Sequence, residues 1–307
     1  MQIISQICTA AAGAAGKKAP QWQWAFFDGI HIGHRAVIES AVQWAKEHDA
    51  APAVFTFKLP MVNKMKGKRL LSTADKHALI ASLGVEYYLT PDFEEIKGLT
   101  PEQFVLGIVR DCNARALVCG ENFTFGAKAA GNPELLRTLC APLGVEVIVV
   151  PMAQFEEKPV SSTRIRTALE GGDIPAANAM LGDALRHPVR GAARCRSGPH
   201  ARGCPPSTSC IPRAFSCPAA AFISPAPTLA GCGILRPPAL AAALPSMMMP
   251  PKVTCETFIP GFSGDLYGTD PVVEFHAYLS PSKKFDTLDE LRACINNAAK
   301  RAQEYFA

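Results

Sequence analysis

The chain has 307 residues, 48% of them hydrophobic, which is enough for about two domains with buried cores. No apolar run reaches the ~20 residues that a membrane-spanning helix needs. The net charge of +4 comes from one region: between Asp183 and Glu256 there are eight basic residues and no acidic one, and the remainder balances at 23 basic against 27 acidic. Clustered Lys/Arg on an ordered face, the footprint of a nucleic-acid binder, is therefore not expected. The opening residues 1–21 lack the charged and apolar regions of a secretion signal and read as a loose, Ala/Gly-rich lead-in. The eleven cysteines show no zinc spacing, so a reduced, cytoplasmic protein is expected.

Residues 22–186 alternate between strand-like and helix-like runs. "WAFF" is a short apolar run that stops at Asp28-Gly29, and "AVIESAVQWAKEH" follows with apolar residues at helical spacing. "APAVFTF" is a strand, "ADKHALIASLG" a helix closed by Gly84, and "VEYYLT" a strand. "TPEQFVLGIVRDC" opens with Thr100 as N-cap, Pro101 at the first position and Gln103 as the capping-box partner. "RALVCG", "NPELLRTLCAPLG" and "VEVIVVP" continue as strand, helix and strand. This order predicts an α/β domain: a parallel sheet with helices on both faces and ligands beyond the carboxyl ends of its strands.

Residues 187–252 change character. Thirteen of the 26 prolines and five of the 11 cysteines fall within 188–251, and no helical or strand period survives. The composition predicts a disordered or frameshifted segment. Residues 253–307 are regular again, with "VTCETFIPG" and "VVEFHAYL" as strands and "TLDELRACINNAAKRAQEYF" as an amphipathic helix capped by Thr287.

Three motifs carry chemistry. In "FFDGIHIGHR", His31 and His34 lie in a glycine-containing turn at a predicted helix N-terminus. Ring N–H groups, free backbone N–H groups and the helix dipole there all favour an anion such as phosphate. Gly29 and Gly33 let the backbone approach it. An isolated H-x-G-H also fits one exposed and one buried histidine, and a zinc site lacks a third ligand nearby. The second motif, "VSSTRIRTALEGGD", places Ser162 and Thr163 at a helix start, followed by Arg164 and Arg166, whose planar guanidinium groups suit phosphate oxygens. The third is "CGENFTFG" at a strand end.

In this order and spacing, the three motifs resemble the adenylyltransferase module of prokaryotic bifunctional riboflavin kinase/FAD synthetases over roughly residues 25–190. The resemblance implies a Rossmann-like nucleotidyltransferase domain followed by a riboflavin-kinase β-barrel. It also implies transfer of AMP from ATP to FMN, with Mg2+, to give FAD and pyrophosphate. His31, His34 and Arg166 would be the catalytic residues of that step. Phe27, Asp28, Gly29, Gly33, Ser162, Thr163 and Arg164 would hold ATP and its phosphates, and Asn122, Phe123 and Phe125 would lie on the flavin-nucleotide side. Two positions depart from the family pattern: Ala25 stands where a glycine is usual, and "TFKLP" at 56–60 lacks a histidine-proline pair.

Residues 253–307 resemble the second half of the kinase barrel, a remnant with its C-terminal helix. "CETFIPGFSGDLYG" places Glu256 as the base for the riboflavin 5′-hydroxyl. The G-x-P-T-x-N segment that the resemblance requires is absent. Read one nucleotide earlier, codons for Pro205-Pro206-Ser207-Thr208-Ser209 can encode Pro-Thr-Ile-Asn-Leu. Codons for Cys217-Pro218-Ala219-Ala220-Ala221-Phe222-Ile223 can likewise encode Leu-Pro-Arg-Gly-Gly-Val-Tyr. The expectation is a frameshift over roughly residues 192–250, with a genuine Pro-rich insertion as the rival, and kinase activity lost as a result. Rival functions are pantetheine-phosphate or nicotinate-mononucleotide adenylyltransferase, or a non-catalytic flavin or nucleotide sensor. Small-molecule substrates (ATP, FMN, riboflavin) are expected as partners, with no nucleic acid and no membrane.

Overall fold

A computed structural model describes residues 1–4, 20–24, 29–57, 70–188, 207–211, 220–225, 231–236, 253–258, 272–279 and 287–306. They group into two compact units, Met1–Ser162 and Thr163–Ala307.

The first unit is built on six strands: β1 (Gln2–Ile4), β2 (Pro20–Trp24), β3 (Ala51–Phe55), β4 (Tyr87–Leu89), β5 (Ala116–Gly120) and β6 (Glu146–Val150). Their order is β1-β4-β3-β2-β5-β6, and every pairing is parallel. Between them run α1 (Ile32–Glu47), α2 (Thr73–Ser82), the single turn α3 (Phe93–Ile96), α4 (Pro101–Asp111) and α5 (Pro133–Cys140).

Strand alternation explains why helices cover both faces. Ala53 and Phe55 of β3 pack with α4 and α5 through Phe104, Ile108 and Leu136, while Val54 packs with Ile38 of α1 and Ile80 of α2. A strand buried on both sides loses its polar alternation, and all five β3 residues are buried. Ile38, Ile80, Leu117 and Leu136 are fully buried, each contributing about 1.5–3 kcal/mol. The predicted cap of α4 is present as a full capping box: Thr100 Oγ1 accepts from the Gln103 N–H at 3.2 Å, and Gln103 Oε1 accepts from the Thr100 N–H at 3.0 Å.

From β2 the chain winds outward through β3 to β4, then crosses to β5 on the other side of β2 and continues to β6. β2 and β5 are therefore the strands from which the chain departs in opposite directions. Ligands of such sheets bind at this switch point, outside the carboxyl ends of the strands. A short hairpin, β7 (Gln154–Phe155) and β8 (Lys158–Pro159), closes the unit.

One sequence expectation shifts here. The lead-in 1–21 is not wholly loose: Gln2–Ile4 form the edge strand β1, with Ile4 buried against the core. Two β-branched residues suffice for so short a strand. The strand before the turn is β2 at Pro20–Trp24, where aromatic and polar residues alternate, and residues 25–28, which take in the rest of "WAFF", lie outside the described residues.

The second unit begins with α6 (Ser162–Gly171) and α7 (Ile174–Leu181) and ends with α8 (Leu288–Phe306). Its strands are β9 (Leu185–Pro188), β10 (Ser207–Ile211), β11 (Ala220–Pro225), β12 (Gly231–Arg236), β13 (Val253–Phe258) and β14 (Val272–Tyr278). They pair antiparallel throughout, in the order β10-β13-β12-β11-β14-β9. Residues 187–252, expected to lack regular structure, thus supply three whole strands. Backbone pairing does not need the side-chain alternation whose loss prompted that expectation.

Around the boundary expected at 186, side-chain bonds link the elements of the second unit. The Asn178 side chain donates to the Phe275 carbonyl at 2.7 Å and accepts from the Leu185 N–H at 2.9 Å, tying α7 and β9 to β14. Pro188 ends an edge strand, where its missing N–H breaks no ladder.

Candidate active site

The turn after β2 brings the predicted histidines together. His31 is the N-cap of α1 and is 7% exposed. Its Nδ1 accepts from the His34 backbone N–H at 3.3 Å, doing the work that Ser or Asp does at ordinary caps. His34 Nδ1 lies 2.6 Å from the Gly29 carbonyl oxygen. The rings stack, with centroids 3.7 Å apart and planes 17° from parallel. Gly33 has a direct packing reason: a Cβ there would meet the His31 ring at 3.3 Å.

Burial pushes the His31 pKa down to about 3, with the neighbouring His34 adding to the shift, and burial pushes His34 down to about 4. Both rings are therefore neutral at pH 7. The sixteen-residue α1 has no acidic residue in its first turn, which leaves the positive end of its dipole uncompensated within the helix.

The neighbouring strand β5 ends at Gly120, followed by Asn122, Phe123 and Phe125. Phe125 is buried, and it joins a ladder of rings with Phe123 at 5.6 Å and Phe104 at 5.8 Å. Gly131 makes this possible, because a Cβ there would strike the Phe125 ring at 2.6 Å.

Sequence reading missed two further aromatics. Phe57 and Phe93, just beyond the ends of β3 and β4, are partly buried with ring centroids 5.1 Å apart. The available signal was an aromatic residue within a few positions of a strand's carboxyl end. Thr56 and Thr90, one residue beyond β3 and β4, are buried hydroxyls, and Thr56 Oγ1 makes no hydrogen bond. Together with His31 they make up the buried polar residues among those described, and all three follow strand ends on one side of the sheet.

Ser162 closes the first unit and opens α6, while Thr163, Arg164 and Arg166 lie in the first turns of that helix, in the second unit. Phe27 and Asp28 lie outside the described residues. Glu256 sits on β13, in register with Thr208 of β10 and Ile234 of β12; its side chain lies outside the described residues. Among the described residues no group of three or more His, Cys, Asp or Glu could hold a metal ion.

A doubly wound parallel sheet with an H-x-G-H turn capping the helix at its switch point defines a nucleotidyltransferase domain. Residues 24–164 match the family model for FAD synthetase, and residues 241–306 match that for riboflavin kinase. The chain thus carries matches to an FAD synthetase and a riboflavin kinase domain in tandem, the pair for which its bifunctional bacterial relatives are named. It is 30% identical to the FAD synthetase of Listeria monocytogenes serovar 1/2a, over 51% of this chain and 65% of that protein. It is 26% identical to the bifunctional riboflavin kinase/FMN adenylyltransferase of Bacillus subtilis strain 168, over 92% of this chain and 91% of that protein. A crystal structure described as a macrolide-efflux protein from Streptococcus pneumoniae superposes with a TM-score of 0.75 at 23% identity, covering 94% of each chain. At that identity the likeness speaks for the fold.

Proposed function

We propose that this chain makes FAD by transferring the AMP group of ATP to FMN. A phosphate oxygen of FMN attacks the α-phosphorus of ATP, the bond from that phosphorus to the bridging oxygen breaks, and pyrophosphate leaves. The nucleophile is already ionised, so the protein's task is to position both phosphates and offset the charge that develops on the leaving group. The observation that carries this reading is the stacked pair of histidines at the N-terminus of α1, one of them its cap, within a domain that matches the FAD synthetase family.

In this reading His31, His34 and the α1 N-terminus hold the triphosphate, and Gly29 and Gly33 keep the backbone close. Ser162, Thr163, Arg164 and Arg166 bind phosphate oxygens by their motif. Asn122, Phe123 and Phe125 take the flavin nucleotide, with Phe57 and Phe93 adding aromatic surface for a planar ring. Mg2+ binds as it does with many nucleotides, mainly through the substrate's phosphates. Among the described residues no helix is long and apolar enough to cross a membrane. We place the enzyme in the cytoplasm on its cysteine pattern, which has no zinc spacing and reads as that of a reduced protein. Glu256 is the base of the family's kinase step, a step this chain does not complete.

The test is purified protein with ATP, Mg2+ and FMN, with FAD and pyrophosphate followed by chromatography. FAD formation is expected. Adenylylation of pantetheine phosphate or nicotinate mononucleotide in preference to FMN, or FMN binding without product, would replace this reading with one of its rivals.

A further inference from the structure

We propose that the adjoining hydroxyls of Thr90 and Thr56 receive the phosphate of the acceptor substrate, Thr90 donating to it and Thr56 positioning Thr90. This rests on the function proposed above and adds to it a place for the acceptor's phosphate.

The two side chains are neighbours by register. Val54 pairs with Tyr88 and Phe55 with Leu89 across β3 and β4, so the next residues in line are Thr56 and Thr90. Neighbouring strands lie about 4.8 Å apart, and a residue two positions further on faces the same side of the sheet. Val54 and Tyr88 share a core cluster with Ile38 of α1, Ile80 of α2 and Ile30, the residue before His31. Thr56 and Thr90 therefore extend that face by one layer towards the strands' carboxyl ends, on the side covered by α1 and its histidine cap. The main chain fixes both positions: the Thr56 N–H donates to the Leu89 carbonyl at 2.9 Å, and the Thr90 N–H to the Ile4 carbonyl at 2.8 Å.

Thr56 is 1% exposed, and its Oγ1 makes no hydrogen bond. A buried hydroxyl without a partner destabilises a fold, and valine fills the same space without that penalty. Thr90, at 7%, keeps a little surface. A phosphate oxygen above the strand ends accepts from the Thr90 hydroxyl. Thr90 Oγ1 is then held as an acceptor for Thr56, whose hydroxyl gains the partner it lacks. The pair is thus completed by an acceptor atom brought in from outside.

Two observations assign that atom to the acceptor's phosphate. The attacking phosphate has to lie within about 3–3.5 Å of the α-phosphorus, and the His31 turn, read as the triphosphate site, lies on this face. The opposite face of the same strand ends carries Phe57 and Phe93, packed against the other core cluster, which suits a flat ring. FMN laid across the ends of β3 and β4 has its ring on the aromatic side and its phosphate on the hydroxyl side.

Initial rates of FAD formation by the full chain test this. Thr90→Val should raise KM for FMN about ten- to a hundredfold and leave KM for ATP unchanged, as for one lost hydrogen bond to a charged group. Thr56→Val alone should raise KM for FMN about two- to tenfold, and add nothing in the Thr90→Val background, because it acts through Thr90. Thr90→Ser and Thr56→Ser keep the hydroxyl and should stay near wild type. An unchanged KM for FMN in Thr90→Val overturns the proposal. Riboflavin, the same flavin without the phosphate, should inhibit Thr90→Val as well as it inhibits wild type; an inhibition constant that rises with KM puts the contact on the ribityl chain and overturns the phosphate assignment. Ligand-free Thr56→Val should melt no lower than wild type, and a fall would show a hydroxyl with a structural partner and overturn its role. If the wild-type chain forms no FAD, the proposed function fails and this inference with it; FAD formation with unaltered variants sinks the inference alone.

Discussion

Two neutral imidazoles, His31 buried and His34 partly buried, make the first unit sensitive to acid. Their folded pKa values, about 3 and about 4, lie below the unfolded value of 6.5. Between those limits the unfolded chain binds more protons, so stability is full above pH 6.5 and falls as pH drops towards 4. For His34 the loss is on the order of 3 kcal/mol. The urea midpoint of the first unit should therefore fall between pH 7 and 4.5, and His34→Gln should flatten that fall. An equal pH slope in wild type and variant would remove the histidine as its cause. In catalysis, His31→Ala or His34→Ala should slow FAD formation about a hundred- to a thousandfold, the ~2.7–4 kcal/mol typical of one lost donor to a developing anion. Near-normal turnover in either variant would take that residue out of the mechanism. The identity of these residues was legible because H-x-G-H is a local pattern. Their hydrogen bonds were not, since stacking and Nδ1 partners depend on how the turn folds back on Gly29. Thr56 and the Phe57–Phe93 pair were missed for a related reason: only the strand order brings their ends together.

At the scale of elements, local chemistry was readable wherever a cap or turn used its usual residues. The capping box of α4 appeared as read, and so did the Gly84 closure of α2, at φ 94°. The β7–β8 hairpin gave no such signal. Its two loop residues, Glu156 and Glu157, both have left-handed backbones, at φ 51° and 59°. Two-residue loops of this kind favour Asn-Gly, because a Cβ is strained there. The double change Glu156→Asn with Glu157→Gly should stabilise the hairpin by about 1 kcal/mol. The readout is hydrogen exchange at the Val160 amide, which bonds the Ala153 carbonyl at 2.9 Å and should exchange more slowly. Unchanged or faster exchange would mean that other contacts already offset the strain.

For the whole molecule, the first unit was legible as alternating strands and helices, but not the arrangement of its sheet. Periodicity says that strands are parallel and buried; it does not say that β1 lies beyond β4. The second unit was harder because its middle strands carry no alternation: β12 is Gly-Cys-Gly-Ile-Leu-Arg. β10 and β11 nonetheless overlap the two stretches whose shifted reading restores kinase-like segments, and the riboflavin kinase match begins only at residue 241. We therefore expect the chain as written to form no FMN from riboflavin and ATP, and a frame-corrected version to form it. FMN from the uncorrected chain, or a gene in which no one- or two-base correction restores a P-T-x-N segment, would overturn the frameshift reading.

The pairing of β1 with β4 also sets an order in time. Gln2 aligns with Tyr87, so the first strand leaves the ribosome 85 residues ahead of the one it must join (87 − 2). At ~5–20 residues per second that is a wait of roughly 4–17 s. Contacts so distant along the chain are slow to form, since the loop must close before the pairing can stabilise it. β3 and β4, joined through α2, can pair within that interval. β1 is thus made well before the strand it pairs with, and until it docks the growing sheet ends in the unpaired edge of β4.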